Sequence, residues 1–553
     1  MESRGFIATL YKYLARDLLR TLVLAMAAFT LVMTTFAVIE PLRKEGLQAT
    51  QALRLFVYLL PVMGSLTLPI VAVFSATFTY GRFAMDNELT ASRAGGISRY
   101  SLLMPAAVLG VLVSASTIFL SNTLAPAMAR RGEEAVKANL QGLLYQKLRT
   151  DGFIKFKSWM LHADAVDMDS NQLHGVVAVD RGSKNTSFYT ASTAVVEFTQ
   201  EGDQTEVRVL AIHPTYGEQQ GFLIYETSQF PFGPFPVGEA FDEKAAFYDW
   251  RELKAIRANP INSDVVAGKL RHIQRLLLAR KLYEEMAVTL ENDQVYELTQ
   301  AAESGGYRYQ FRAPVARIER DHHLVLSGPP DAPADATPVT IDVYTPDGDL
   351  YRRFHSRLAH LRVARPQEGT WSLETDSDDR AWISVALEDL EVVLAEFDDM
   401  EPIRKREFNL GQLEMPYSIA RQRQVVDLET LYNRPGDYPW VLDESENLRY
   451  YIDTKLHPRI LAEMHGRFAY GVGCLLLAPI GAVLGLVYRG GHLLSAFALS
   501  CIPAMVLVIL MVMGKQMIAN PGADTAAGIA ATWSGVALLA ALAAYLYGVL
   551  LRR

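Results

Sequence analysis

Six runs of about twenty apolar residues, nearly free of charge, constrain what this chain can fold into. They cover residues 21–39, 55–78 (interrupted by Pro61 and Pro69), 101–124, 468–488, 493–514 and 525–551. A helix needs about 20 residues to cross the hydrocarbon core of a bilayer. Inside lipid every backbone N–H and C=O must be bonded internally, which a helix achieves alone. The pattern predicts six transmembrane helices in two clusters of three, separated by a long water-exposed stretch. Composition agrees: 50% of the residues are hydrophobic although 21% are charged, because the charge is concentrated in the middle. The first run starts late, is long and lacks a small-residue cleavage site, so a span and not a cleaved leader is expected.

Charge near the spans predicts their direction. With the N-terminus inside, Arg4, Lys12, Arg16, Arg20, Arg82, Arg93, Arg99, Arg489, Arg552 and Arg553 lie on the cytoplasmic side, and Arg43, Lys44, Arg54 and Lys515 on the outer side. This excess places both termini inside and residues 125–466 outside the cytoplasm, in the periplasm of a cell with two membranes. A net charge of −8 spread over 553 residues carries no nucleic-acid signature. Cys474 and Cys501 both fall in apolar runs and are expected as small packing residues rather than a disulfide.

The middle reads as β-rich. Residues 173–180, 186–198, 205–212 and 382–397 alternate or carry β-branched runs. Residues 249–298 read as a helical interruption, with Leu270, Ile273, Leu277 and Leu282 at helical spacing. A second β stretch follows over residues 307–397.

Catalytic and metal motifs are missing. The sequence has no G-x-x-x-x-G-K-[ST], no G-x-S-x-G and no H-E-x-x-H. His322 and His323 are adjacent and are expected to face solvent. Asp376, Asp378 and Asp379 lack the glycine and glutamate of a calcium loop and read as a solvated turn. Few ionisable groups lie deep in the spans, which disfavours a proton-driven transporter. A transporter of this composition needs a motor from elsewhere.

The segment that points to one is G-R-F-A-M-D-N-E-L-T-A-S-R-A-G-G-I-S at residues 81–98, between the second and third runs. Phe83, Leu89 and Ala94 are expected to line one face of a short helix that Gly95-Gly96 ends. Asp86 and Glu88 beside an anionic leaflet suit a protein partner better than a lipid surface.

This loop resembles the coupling segment of the LptF/LptG permease family of lipopolysaccharide export. So do Y-K-Y-L-A-R-D-L-L-R at residues 11–20, E-M-H-G-R-F-A at 463–469 and R-G-G at 489–491. The resemblance implies an α-helical polytopic membrane protein, 3 + 3 spans around a periplasmic β-jellyroll-like domain. The three parts are residues 1–124, 125–466 and 467–553. The family's β-domain is much shorter than the stretch here, which leaves about 240–400 as an extra region. By resemblance the chain is a permease subunit of an ABC-type exporter in the inner membrane, without an ATPase site or cofactor of its own, ATP being bound by a partner. Its partners would be an LptB-like ATPase dimer, a second LptF/LptG-type permease, LptC-like and LptA-like periplasmic proteins, and lipopolysaccharide. Glu88, Asp86, Arg82 and Arg93 would couple to the ATPase. Arg467, Arg43, Lys44, Arg130 and Arg131 would meet lipid phosphates, unless they only snorkel to headgroups. The competing reading from a different class is a membrane-anchored sensor or scaffold with a ligand-binding periplasmic domain.

Overall fold

The computed structural model describes residues 2–45, 49–137, 145, 148–149, 152–156, 159–167, 172–180, 187–201, 204–212, 215–218, 221–224, 229–236, 245–300, 306–319, 322–329, 333, 337–364, 382–394, 403–420, 426–487, 493–520, 522 and 524–550. The helices used below are, in chain order, α1 (Glu2–Glu45), α2 (Ala49–Met85), α3 (Glu88–Ala94), α4 (Arg99–Phe119), α5 (Ala125–Lys137), α6 (Trp250–Ala258), α7 (Asp264–Glu291), α8 (Leu442–Tyr451), α9 (His457–Val487), α10 (Leu493–Ala519) and α11 (Thr525–Tyr545). The chain divides into two compact units, Met1–Ser263 with Tyr451–Arg553, and Asp264–Tyr450.

In the first unit, among the described residues, six helices are long and apolar enough to cross a membrane. They lie within Thr9–Ile39, Ala52–Met85, Tyr100–Gly132, Pro439–Val487, Ala498–Ala519 and Thr525–Gly548, where the hydropathy predicts them. The fourth is the most enclosed: 72% of its most apolar stretch is buried, against 22–44% for the others. Its helix α9 packs against α2, α4, α10 and α11. Small residues permit this. A Cβ on Gly481 would stand 2.9 Å from the Val73 carbonyl oxygen, and one on Gly485 would stand 2.6 Å from that of Thr77. These two glycines, four apart on one face, let α9 and α2 touch backbone to backbone. The Thr77 hydroxyl donates to the Gly481 carbonyl at 3.2 Å. Proline in α2 is tolerated because neighbours serve the backbone it disturbs. Near Pro69, the Tyr470 hydroxyl donates to the Leu66 carbonyl at 2.6 Å. Cys474 and Cys501 are free, Cys474 buried.

The same unit holds an antiparallel sheet in the order β1-β2-β3-β4-β5-β8, with β6 on β4 and β7 on β6. Its strands are β1 (Phe153–Phe156), β2 (Trp159–Asp167), β3 (Gln172–Asp180), β4 (Ser187–Glu201), β5 (Gln204–Ile212), β6 (Thr215–Glu218), β7 (Gly221–Ile224) and β8 (Gln229–Pro236). Alternation drives it: Leu161 and Ala163 on β2, and Val176 and Ala178 on β3, are buried.

The second unit is a closed sheet with helices. Its strands are β9 (Tyr296–Thr299), β10 (Arg308–Arg312), β11 (Val315–Ile318), β12 (His323–Ser327), β13 (Val339–Tyr344), β14 (Leu350–Ala364), β15 (Trp382–Leu394) and β16 (Ile403–Glu414). The order is β11-β12-β14-β13-β10-β9-β16-β15, and an additional β14–β15 pairing closes a six-stranded ring. Phe311, Ile341, Ile383, Val385 and Leu413 form one core with Leu282 and Met286 of α7, as the filled interior of a small barrel requires.

Three expectations need correction. The helical run stops at Glu291: Asp293 takes a left-handed φ of 59°, and Tyr296 and Leu298, buried between exposed Glu297 and Thr299, are a strand. Along α7 it is Leu270, Ile273 and Leu282 that are buried, with Leu276 and Leu278 flanking a half-buried Leu277. His323 does not face solvent. It begins β12 pointing into the fold, its ring 5.6 Å from that of His360. His322 is half-buried, its Nε2 2.8 Å from the Glu444 carboxylate and its ring edge-on to Trp440. Residues 376–379 lie outside the described residues. Among the described residues no group of three or more His, Cys, Asp or Glu is arranged to hold a metal ion.

Candidate functional site

The loop between the second and third spans folds as a short helix with defined ends. Asn87 enters α3 in a left-handed conformation, φ 60°. At the other end the Ile97 N–H donates to the Ser92 carbonyl at 3.2 Å, and the Gly96 N–H to the Arg93 carbonyl at 2.9 Å. This nested pair needs a residue with positive φ at its corner, and Gly96 supplies it at 82°. The two glycines thus stop the helix as the sequence suggests.

Burial sorts the faces of the loop. Phe83, Leu89, Ser92 and Ile97 are buried, whereas Asp86, Asn87, Thr90, Ala91, Arg93 and Ala94 are exposed. Ala94 therefore does not belong to the apolar stripe; Ser92, three residues after Leu89, takes that position. Glu88 is half-buried, and the Tyr13 hydroxyl of α1 stands 3.5 Å from its carboxylate, at the outer limit of a hydrogen bond. Arg82 is committed within the chain, its guanidinium 2.7 Å from Asp17 of α1. Tyr11 and Ser101 hydroxyls meet at 2.5 Å. The loop is therefore a small packed element fixed on α1, α2 and α4, with an exposed charged face. The R-G-G stretch at 489–491 lies outside the described residues.

The cations at the other end of the spans are more tightly held. Arg467 on α9 is only 7% exposed. Its guanidinium donates to the carbonyls of Tyr248 at 2.9 Å, Ala246 at 3.0 Å and Ala245 at 3.4 Å, and to Glu463 at 3.4 Å. Glu463 also receives Lys515 of α10 at 2.5 Å. Arg130 on α5 is bidentate to Glu252 of α6, at 2.6 and 2.9 Å, with a further bond to the Phe247 carbonyl. Glu252 is itself half of a capping box with Asp249. Trp250 packs edge-on against Phe468, centroids 4.9 Å apart. A phosphate would have to displace these bonds to use either guanidinium. Arg131 is exposed, and the side chains of Arg43 and Lys44 lie outside the described residues.

The structure brings Arg130 and Arg467 together on one turn, residues 245–252. The long-range partner was invisible in sequence: 122 residues separate Arg130 from Glu252, and Arg467 is held mainly by backbone carbonyls, which no side-chain motif marks. The one local signal is Glu463, a turn before Arg467.

The family described as lipopolysaccharide export system permease LptF/LptG matches residues 12–282 and 331–549 of the chain. No curated protein matches it.

Proposed function

The chain belongs to the LptF/LptG family of lipopolysaccharide export permeases and is thus a multi-pass inner-membrane transport subunit, and from this premise we propose that it extracts lipopolysaccharide as one permease of an ABC-type exporter driven by a separate ATPase. The observation that carries this reading is the capped helix α3. It is packed on its inner face through Leu89 and Ser92, with Glu88 half-buried at its start and Arg93 exposed at its end, on a chain without a phosphate-loop motif of its own. A rigid, charged element between two spans suits the groove of a motor subunit. Its partners in this reading are an LptB-like ATPase dimer, a second permease of the family, and LptC-like and LptA-like proteins that receive the lipid. Residues 125–466 face the periplasm and both termini the cytoplasm.

The test is purification of the tagged chain from its native membrane, followed by reconstitution with what comes with it. An ATPase subunit and a second permease are expected to co-purify, and the proteoliposomes to release lipopolysaccharide only with ATP. A chain that purifies without an ATPase, or a complex that hydrolyses ATP without releasing lipid, would overturn the reading. The second reading, a sensor or scaffold, is favoured by one observation: residues 283–330, within the second unit, fall outside the family match.

A further inference from the structure

Resting on that permease reading, we propose that Arg130, Glu252 and Arg467 are positioning residues that staple the neck of the β1–β8 sheet to the membrane helices, and that transfer of lipid, not ATP hydrolysis, depends on them.

The geometry begins with the path of the chain. It leaves the third span through α5, runs through the sheet from Phe153 to Pro236, and returns at residues 245–258. Arg130 sits on the outgoing helix and Glu252 on the returning one. Their bidentate pair, at 2.6 and 2.9 Å, ties the two stalks of the sheet to each other. Arg467 then ties the returning stalk to the fourth span by donating to the carbonyls of Ala245, Ala246 and Tyr248. Three acceptors on one turn make use of the planar, multi-donor guanidinium, which a lysine cannot match. Glu463 orients Arg467 from one turn below and joins Lys515 of the fifth span. The neck is therefore gripped by helices from the third and fourth spans, and Lys515 of the fifth braces Glu463 behind them. Trp250 against Phe468 adds an apolar contact at the same place.

The gripping helix is also the one in backbone contact with α2, at Gly481 and Gly485, and α2 ends where the loop bearing α3 begins. A shift of α2 relative to the bundle must move α9 or break that contact. Moving α9 carries Arg467 and the turn it holds. The neck is thus where movement of the helices would reach the root of the sheet. If Arg130 and Arg467 were instead ligands of lipid phosphate, their charge would matter and the fork geometry and Glu252 would not.

Four variants of the full chain in the assembled complex separate the two roles: Arg467→Lys, Arg130→Gln, Glu252→Gln and the double Arg130→Gln/Glu252→Gln. Glutamine at 252 keeps an acceptor for the capping box while removing the charge. Two readouts are taken: hydrogen exchange of the amides at 245–258, and ATP turnover with lipopolysaccharide release from proteoliposomes. We expect each single variant to lose protection at 245–258 and to release lipid at least about tenfold more slowly, with ATP turnover within about twofold of wild type. The double variant should be no worse than Arg130→Gln alone, since both changes remove one interaction. Wild-type behaviour of Arg467→Lys, or of Glu252→Gln beside a defective Arg130→Gln, would overturn the proposal and return the arginines to the lipid. Should Arg467→Lys fail to accumulate, the Glu252→Gln arm decides. A wild-type complex that releases no lipid sinks the permease reading, while the exchange arm still decides whether these residues hold the neck.

Discussion

Two acidic residues two positions apart in the loop occupy different environments. Glu88 opens α3, half-buried beside Tyr13, while Asp86 is exposed. A charge desolvated at an interface is costly to strand, roughly 2–5 kcal/mol when one partner is removed, whereas a charge at a wet rim costs little. Glu88→Ala is expected to lower ATP turnover or lipid release in the reconstituted complex by at least about tenfold, and Asp86→Ala to change either by less than about threefold. Assembly is checked first by co-purification. A silent Glu88→Ala beside a defective Asp86→Ala would mean that the other face of the loop meets the motor; if both are silent, the loop is not the coupling element. At this scale the sequence was legible where the cause is local. Gly95-Gly96 stops α3 because a positive φ is needed there. It was opaque where the cause is distant: nothing near Arg130 announces Glu252. Ala94 was misplaced because it stands five residues after Leu89, off the i+3 and i+4 face on which Ser92 lies.

Elements follow the same division. The spans were readable from hydropathy alone, because lipid leaves an apolar run of that length little alternative to a helix. The strands were readable as alternation but not their pairing: closure of β14 on β15 depends on register between segments that no local signal sets. One strand residue gives a measurable consequence. His355 lies on β14 with its Nδ1 3.3 Å from the Thr340 hydroxyl. Burial, then the neighbouring Arg353, holds its pKa below the usual histidine value, while Asp342 and Glu391 oppose this. The unfolded chain, with histidine near 6.5, therefore binds more protons than the folded one just below that pH. Stability contributed by neutral His355 is present above about pH 6.5 and is lost as pH falls from there through the folded-state value. His355→Gln should flatten the fall in melting temperature of the second unit between about pH 7 and pH 5, followed by tryptophan fluorescence of the solubilised protein. Equal slopes for wild type and variant would rule out this contribution.

Over the whole molecule, the orientation proposed above makes a single testable statement: residues 125–466 lie on one side of the membrane and both termini on the other. Fusions test it. A reporter that works only in the cytoplasm is expected to stay silent at Gly233 of β8 and at Gly348, the turn before β14, and to be active after Arg553. Activity at either internal site would overturn the orientation, and discordance between the two would mean that residues 264–450 do not face the same compartment as the sheet. The family match spans both membrane clusters and leaves out residues 283–330, so the segment that carries β9 to β12 is where this chain departs from its family's common pattern. The enclosure of α9 also has a consequence for when this protein can be finished. The Leu66 carbonyl of α2 is served by Tyr470, 404 residues later, and the glycine face of α9 must reach α2 across the same interval. At about 5–20 residues per second of synthesis, the first three helices wait roughly 20–80 s in the membrane for the helix that completes their packing. During that time the Leu66 carbonyl lacks the Tyr470 hydroxyl that serves it in the finished fold, so the packing of the first cluster is completed only once the fourth span has been made.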